Sequence, residues 1–140
     1  MSNPPSLLTT SRGTFRVAID GSPDAPALVL SNSLGTTLEM WDAQVAALSA
    51  SHRLIRYDTR GHGGSPVTPG PYRMDDLGQD VLALLDALNI DQAYFCGISM
   101  GGHTGLWLGC TLAHACAALP YATAPPRSAP PRPGKSVPPP

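Results

Sequence analysis

No Asp or Glu occurs anywhere from Met100 to Pro140, so chemistry that needs a carboxylate cannot find one in that stretch. No apolar run approaches the ~20 residues of a membrane-spanning helix, and Met1 to Thr10 shows no secretory signal pattern. Charge of either sign is in short supply, and the formal net charge is −1. That balance argues against nucleic acid and against a membrane surface as partners. Cysteine is scarce, and Cys96, Cys110 and Cys116 have neither metal-ligand nor disulfide spacing. No metal site is expected, and three unpaired thiols fit a cytoplasmic home. Cys96 reads as a small buried apolar residue on a strand.

Hydrophobic patterning is what the chain does have. Phe15, Val17 and Ile19 alternate with polar neighbours from Thr14 to Asp20, the pattern of a half-buried strand. Gly21-Ser22-Pro23-Asp24 turns the chain. Ala27-Leu28-Val29-Leu30 is a continuous apolar run, as in strands covered on both faces, and ends in the polar turn Ser31 to Gly35. Leu38, Trp41, Val45 and Leu48 recur at three and four residues and predict a helix from Leu38 to Leu48, with Thr36 or Thr37 as its cap. Arg53 to Tyr57 is a second short strand, closed by the glycine-rich turn Asp58 to Ser65. Met74 to Leu88 carries one apolar stripe, Leu77, Val81, Leu84, Leu85 and Leu88, with Asp75 and Asp76 at its positive end. Asn89-Ile90-Asp91 breaks it, and a strand over Ala93 to Cys96 follows.

This order of strands and helices predicts an α/β architecture, a mostly parallel sheet with flanking helices and right-handed crossovers. Such sheets place ligands at the carboxyl ends of their strands. Three polar turns lie there: Ser31 to Gly35, Asp58 to Ser65, and Gly97-Ile98-Ser99-Met100-Gly101. The last is a G-x-S-x-G elbow, a sharp strand-to-helix turn that exposes a serine hydroxyl. Side chains at the two outer positions would collide with neighbouring chain, so Gly97 and Gly101 carry none. Met100, opening the following helix, presents its backbone N–H to an oxyanion formed on attack. Alone the pentapeptide says little, because 14 glycines produce it by chance roughly one time in ten. The ordered strands and helices around it supply the argument.

The strings LVLSNSLGTTLEMWDAQVAAL, RYDTRGHGGS, PYRMDDLGQDVLALLDALNI and FCGISMGG resemble the α/β-hydrolases, and among them the 3-oxoadipate enol-lactonases of aromatic catabolism. The resemblance covers about Thr14 to Gly109. Asn32-Ser33-Leu34-Gly35 stands where many α/β-hydrolases have His-Gly, a variant typical of the enol-lactonases. The resemblance implies Ser99 as nucleophile and the backbone N–H groups of Leu34 and Met100 as the oxyanion hole. It makes Asp58, Arg60, Gly61 and Gly63 an architectural loop. The implied substrate is a small enol-lactone bearing a carboxylate, opened through a serine acyl-enzyme without metal or organic cofactor. Other ester hydrolysis or cofactor-free perhydrolysis on the same fold is the alternative reaction, and a non-catalytic binding fragment the alternative class.

In that family an acid and then a histidine follow the serine, with a helical cap between them. The chain is therefore expected to be truncated after the elbow helix, inactive alone, and unpaired along the far edge of its elbow strand. His103 and His114 are the histidines after Ser99. A direct Ser99–His103 pair would require the side chain to curl over its own helix terminus, which favours a surface role. His62 in the glycine loop reads as loop shaping. Residues 1–109 are read as the hydrolase part and 110–140 as an Ala/Pro-rich tail that cannot bury a core. A one-base change of reading frame near Gly109 accounts for that tail, since synonymous codons in the shifted frame spell an enol-lactonase-like continuation. The alternative is a genuine interaction tail, with Pro125-Pro126-Arg127 and Pro130-Pro131-Arg132-Pro133 as segments for an SH3-like groove.

Overall fold

Alternation along the strands builds two cores, one on each face of a single sheet. The computed structural model describes residues 2–111 and the backbone of 116–118. Six strands, β1 (Ser6–Thr10), β2 (Gly13–Asp20), β3 (Ala27–Ser31), β4 (Arg53–Tyr57), β5 (Ala93–Gly97) and β6 (Cys116–Ala118), form one sheet in the order β1-β2-β4-β3-β5-β6. The first two pairings are antiparallel, and β4, β3, β5 and β6 run parallel. Val29, Ile55 and Phe95 point to one face, where they pack with Phe15, Val81, Leu84 and Leu108 of β2, α2 (Met74–Ala87) and α3 (Met100–Thr111). Leu28, Leu30 and Leu54 point to the other, against Trp41 and Val45 of the segment ending in α1 (Asp42–Leu48). The chain steps from β3 outward to β4, then crosses back over β3 to β5. The sheet's switch point thus lies between β3 and β5, where this class of sheet binds ligands.

The mostly parallel α/β sheet with flanking helices is as the sequence predicts, and several local expectations change. β1 was not anticipated; it is a hairpin partner of β2 with Leu7 exposed and Leu8 half-buried, too weak a pattern to read. The strand expected to be half-buried, β2, is covered on both faces, because Ala18 and Asp20 lie opposite Phe15 and Val17 in a second buried layer. Asp20 is tolerated there by Arg56, whose guanidinium reaches Asp20 at 2.9 Å and Asp42 at 2.7 Å. An ion pair of this kind is invisible to a hydrophobic pattern.

The single helix expected over Leu38–Leu48 is divided into a 3-10 turn, Leu38–Trp41, and α1. Neither threonine supplies the expected cap: Thr37 makes no side-chain cap bond, and Asp58 Oδ1 accepts the Leu38 N–H at 2.8 Å. A carboxylate brought from the loop after β4 outcompetes the neighbouring hydroxyl. At α2, Asp76 accepts the Arg73 N–H at 2.9 Å, so that carboxylate closes the helix start directly. The far edge of the elbow strand is also not unpaired: β6 lies parallel to β5, with Ala93 opposite Cys116 and Tyr94 opposite Ala118. Backbone N–H and C=O groups pair whatever side chains they carry, so an open edge recruits even an Ala- and Cys-rich segment. Helix α3 runs to Thr111, past the expected boundary at Gly109. The remaining tail residues lie outside the described residues.

Candidate active site

Close packing of backbone on backbone sets the elbow. Ser99 sits between β5 and α3 with φ 54°, a left-handed conformation that costs a non-glycine residue energy and marks a held turn. Its side chain is exposed. A Cβ on Gly97 would fall on the backbone of Gly101, and one on Gly101 would fall on the Ser31 carbonyl, both closer than real Cβ contacts allow. The glycines are therefore required by β3 and α3 pressing against the elbow from two sides. Two bonds lock this packing: Ile98 N–H donates to Ser31 O at 3.2 Å and Gly101 N–H to Asn32 O at 3.0 Å.

The turn after β3 is built to point amides outward. Thr36 donates to the Ser33 carbonyl through its N–H at 3.3 Å and its hydroxyl at 2.8 Å. Because the peptide is planar and trans, drawing the Ser33 C=O inward turns the Leu34 N–H outward. Gly35 at φ 76° takes the third position of this turn, which in a type II turn demands a positive φ. Leu34 is exposed, and its N–H, like that of Met100, has no acceptor among the described residues. Met100 opens a helix of 12 residues, so its amide also carries the positive end of the helix dipole.

Asn32 is the residue beneath this turn that the sequence reading did not assign a task. It is wholly buried, its amide donating to Tyr57 O at 2.8 Å and accepting the Trp41 indole N–H at 2.9 Å. Next to it Ser31 Oγ and Tyr57 Oη lie 2.8 Å apart, and burial pushes the Tyr57 hydroxyl's pKa up despite that bond. Burial likewise raises the Cys96 thiol, keeping it protonated.

The glycine loop after β4 is anchored by carboxylates. Asp58 is sealed from solvent; besides Leu38 N–H it accepts Gly64 N–H and the Arg16 guanidinium, both at 3.0 Å. Arg60 grips Asp80 of α2 with two bonds of 2.7 and 2.6 Å, donates to Arg12 O, and lies over the Phe15 ring. Arg12 adds a third bond to Asp80 at 2.7 Å. Asp80 carries no motif signature and reads in the sequence as one polar position inside an apolar stripe.

Of the two histidines near the site, neither bonds Ser99 Oγ. His103 is exposed, and its Nδ1 lies 3.1 Å from the Ser99 carbonyl oxygen, one turn back on its own helix. His62 is half-buried and bridges the glycine loop to the Leu34 turn. Among the described residues no set of His, Cys, Asp and Glu is arranged to hold a metal, and no helix is long and apolar enough to cross a membrane.

A strained, exposed serine between a strand and a helix of a mostly parallel sheet defines the fold that comparison with known proteins addresses. The family model of the alpha/beta hydrolase fold matches residues 26–135. The chain belongs to this family. A protein named 3-oxoadipate enol-lactonase 1, from Acinetobacter baylyi, is 55% identical over 111 residues, which cover 78% of this chain and 41% of that protein. The chain thus spans about two fifths of the length of this curated relative. The crystal structure of the enol-lactonase from Burkholderia xenovorans superposes with a TM-score of 0.79 at 47% identity, covering 81% of this chain and 45% of that one. A hydrolase from Pseudomonas aeruginosa gives a TM-score of 0.79 at 49% identity, over 84% of this chain and 44% of that chain. Relatives and fold agree with the enol-lactonase resemblance of the segment from about Thr14 to Gly109.

Proposed function

We propose that this chain carries the nucleophile and oxyanion hole of a serine-dependent ester hydrolase acting on a small enol-lactone. The observation that carries the reading is Ser99 at φ 54°, exposed at the head of α3 and flanked by glycines that only a forced approach explains. Ser99 Oγ attacks the ring carbonyl, and the carbonyl electron pair moves to an oxygen received by the Leu34 and Met100 N–H groups. Collapse of this intermediate restores the carbonyl and breaks the ring C–O bond. The enol oxygen that leaves takes up the proton given up by Ser99 Oγ and ketonises; in a complete hydrolase water then adds to the acyl carbonyl, its hydroxyl leaving with the acid and its proton returning to Ser99. No cofactor takes part.

A base must remove the Ser99 proton, and no imidazole or carboxylate among the described residues bonds Oγ. In serine proteases, the oxyanion hole and binding retain on the order of 10³-fold acceleration after the base is lost. The chain by itself is therefore assigned slow, single-event acylation rather than turnover. The enol-lactonase names of the relatives favour a lactone over other esters.

The test is incubation with a p-nitrophenyl phosphonate, with peptide mass spectrometry and release of p-nitrophenolate as readouts. One phosphonyl group on Ser99, absent in Ser99→Ala, is the expected result. Equal labelling of both chains, or labelling elsewhere, overturns the assignment of the nucleophile. Serine-dependent steady-state opening of the enol-lactone would refute the limit to a single event.

A further inference from the structure

His62 accepts the Gly35 N–H on Nε2 at 2.9 Å, while its Nδ1 lies 3.2 Å from the Arg60 carbonyl oxygen. A ring nitrogen that accepts carries no proton, so Nε2 is bare and Nδ1–H donates to Arg60. The ring is a neutral strut between two loops. Arg60 is fixed in turn by Asp80 of α2, and the loop also closes on itself, through His62 N–H to Thr59 O at 2.9 Å and Ser65 N–H to His62 O at 3.1 Å.

The Leu34 turn is held at its start by Asn32 O on the elbow, and shaped internally by Thr36 on Ser33 O. Neither of these bonds involves the peptide between Leu34 and Gly35. That peptide is the one whose rotation separates type I from type II turns, and its N–H is the one His62 takes. We propose that His62 is a positioning residue for the oxyanion hole: by holding the Gly35 amide it ties the turn as a body to the glycine loop, so that the Leu34 N–H, whose own peptide is oriented by Thr36 on Ser33 O, keeps its place beside the elbow. The inference rests on the reading of Leu34 as an oxyanion donor, and it adds a tether from the glycine loop. No other side chain bonds the amides of Leu34 or Gly35 among the described residues.

The bond itself is tested by NMR on the whole chain labelled with 15N, at a pH where the ring nitrogen shifts show His62 neutral. A coupling across the hydrogen bond between Gly35 N and His62 Nε2 is expected, and its absence overturns the proposal. The consequence is tested by 15N relaxation in His62→Ala and His62→Gln, the latter offering an amide oxygen near the place of Nε2. The Leu34 order parameter should fall from about 0.85 to below about 0.6 in His62→Ala, recover in His62→Gln, and leave Met100 and the sheet unchanged. Unchanged Leu34 order in His62→Ala refutes the positioning role, whereas loss of order throughout the sheet would show a merely structural one. Phosphonylation of Ser99 should slow about tenfold in His62→Ala and be restored in His62→Gln. If wild-type Ser99 does not react while the coupling and the Leu34 response are seen, the hydrolase reading fails and the tether stands.

Discussion

Asn32→Leu removes the buried amide beneath the oxyanion turn without changing the number of side-chain heavy atoms. Two partners lose their bonds in the interior: the Tyr57 carbonyl at 2.8 Å and the Trp41 indole N–H at 2.9 Å. Leaving a buried polar group unsatisfied costs about 1–3 kcal/mol, so the pair together costs about 4 kcal/mol at mid-range. Burying the leucine side chain offsets about 2 kcal/mol of this, and a net loss of about 2 kcal/mol remains. With a urea slope of about 1.5 kcal/mol/M, the unfolding midpoint followed by far-UV circular dichroism should fall by about 1.3 M. Trp41→Phe removes one of the two orphaned groups. The double variant should therefore be about 1–2 kcal/mol less destabilised than the sum of the single ones. A midpoint for Asn32→Leu at or above wild type, or strict additivity in the cycle, would falsify the view that this amide holds β3, β4 and the 3-10 turn together.

Three further outcomes follow from the same contacts. In Gly101→Ala the new Cβ meets the Ser31 carbonyl rather than a movable side chain; a loss of about 1–3 kcal/mol and Ser99 phosphonylation slowed at least about tenfold are expected, and wild-type labelling would show that the elbow tolerates the shift. Gly78→Ala sets a helix-propensity gain of about 1 kcal/mol against a Cβ placed inside the Trp107 indole; urea midpoints should fall in the wild-type background and rise when Trp107 is Leu. Glu39, held at a pKa of about 2 chiefly by its bond to the Arg16 guanidinium, stabilises the fold above its ordinary carboxylate range near 4.5 and ceases to do so as pH falls toward 2. Because the side chain is 45% exposed, the effect should be below about 1 kcal/mol, and Glu39→Gln should flatten the acid limb of a pH-stability curve by that amount.

Local chain chemistry made much of this protein readable. The apolar run Ala27-Leu28-Val29-Leu30, the stripe on Met74 to Leu88 and the elbow glycines each obey a short-range rule, namely two-residue or 3.6-residue periodicity, or a side chain that cannot fit. Those rules located β3, α2 and the turn at Ser99 to within one or two residues. The helix start at Leu38 was misread because its partner comes from afar. Thr37 stood next to the Leu38 amide in sequence, but Asp58 stood next to it in space and carried a charge. Similarly, Asp80 and Asp20 look like interruptions of apolar patterns until Arg60 arrives from the glycine loop and Arg56 from β4.

What the sequence determined by itself is therefore the order of strands and helices from β2 to α3, the identity of the exposed serine and the positions where only glycine fits. These depend on neighbours a few residues apart. The tertiary structure alone decided that β6 covers the elbow strand's edge, that Asn32 spans Trp41 and Tyr57, and that His62 reaches Gly35 across 27 residues of chain. Each is a hydrogen bond between groups distant in sequence. The pairing energy exists only once the sheet has brought both partners out of water together, and no periodicity in the chain records it.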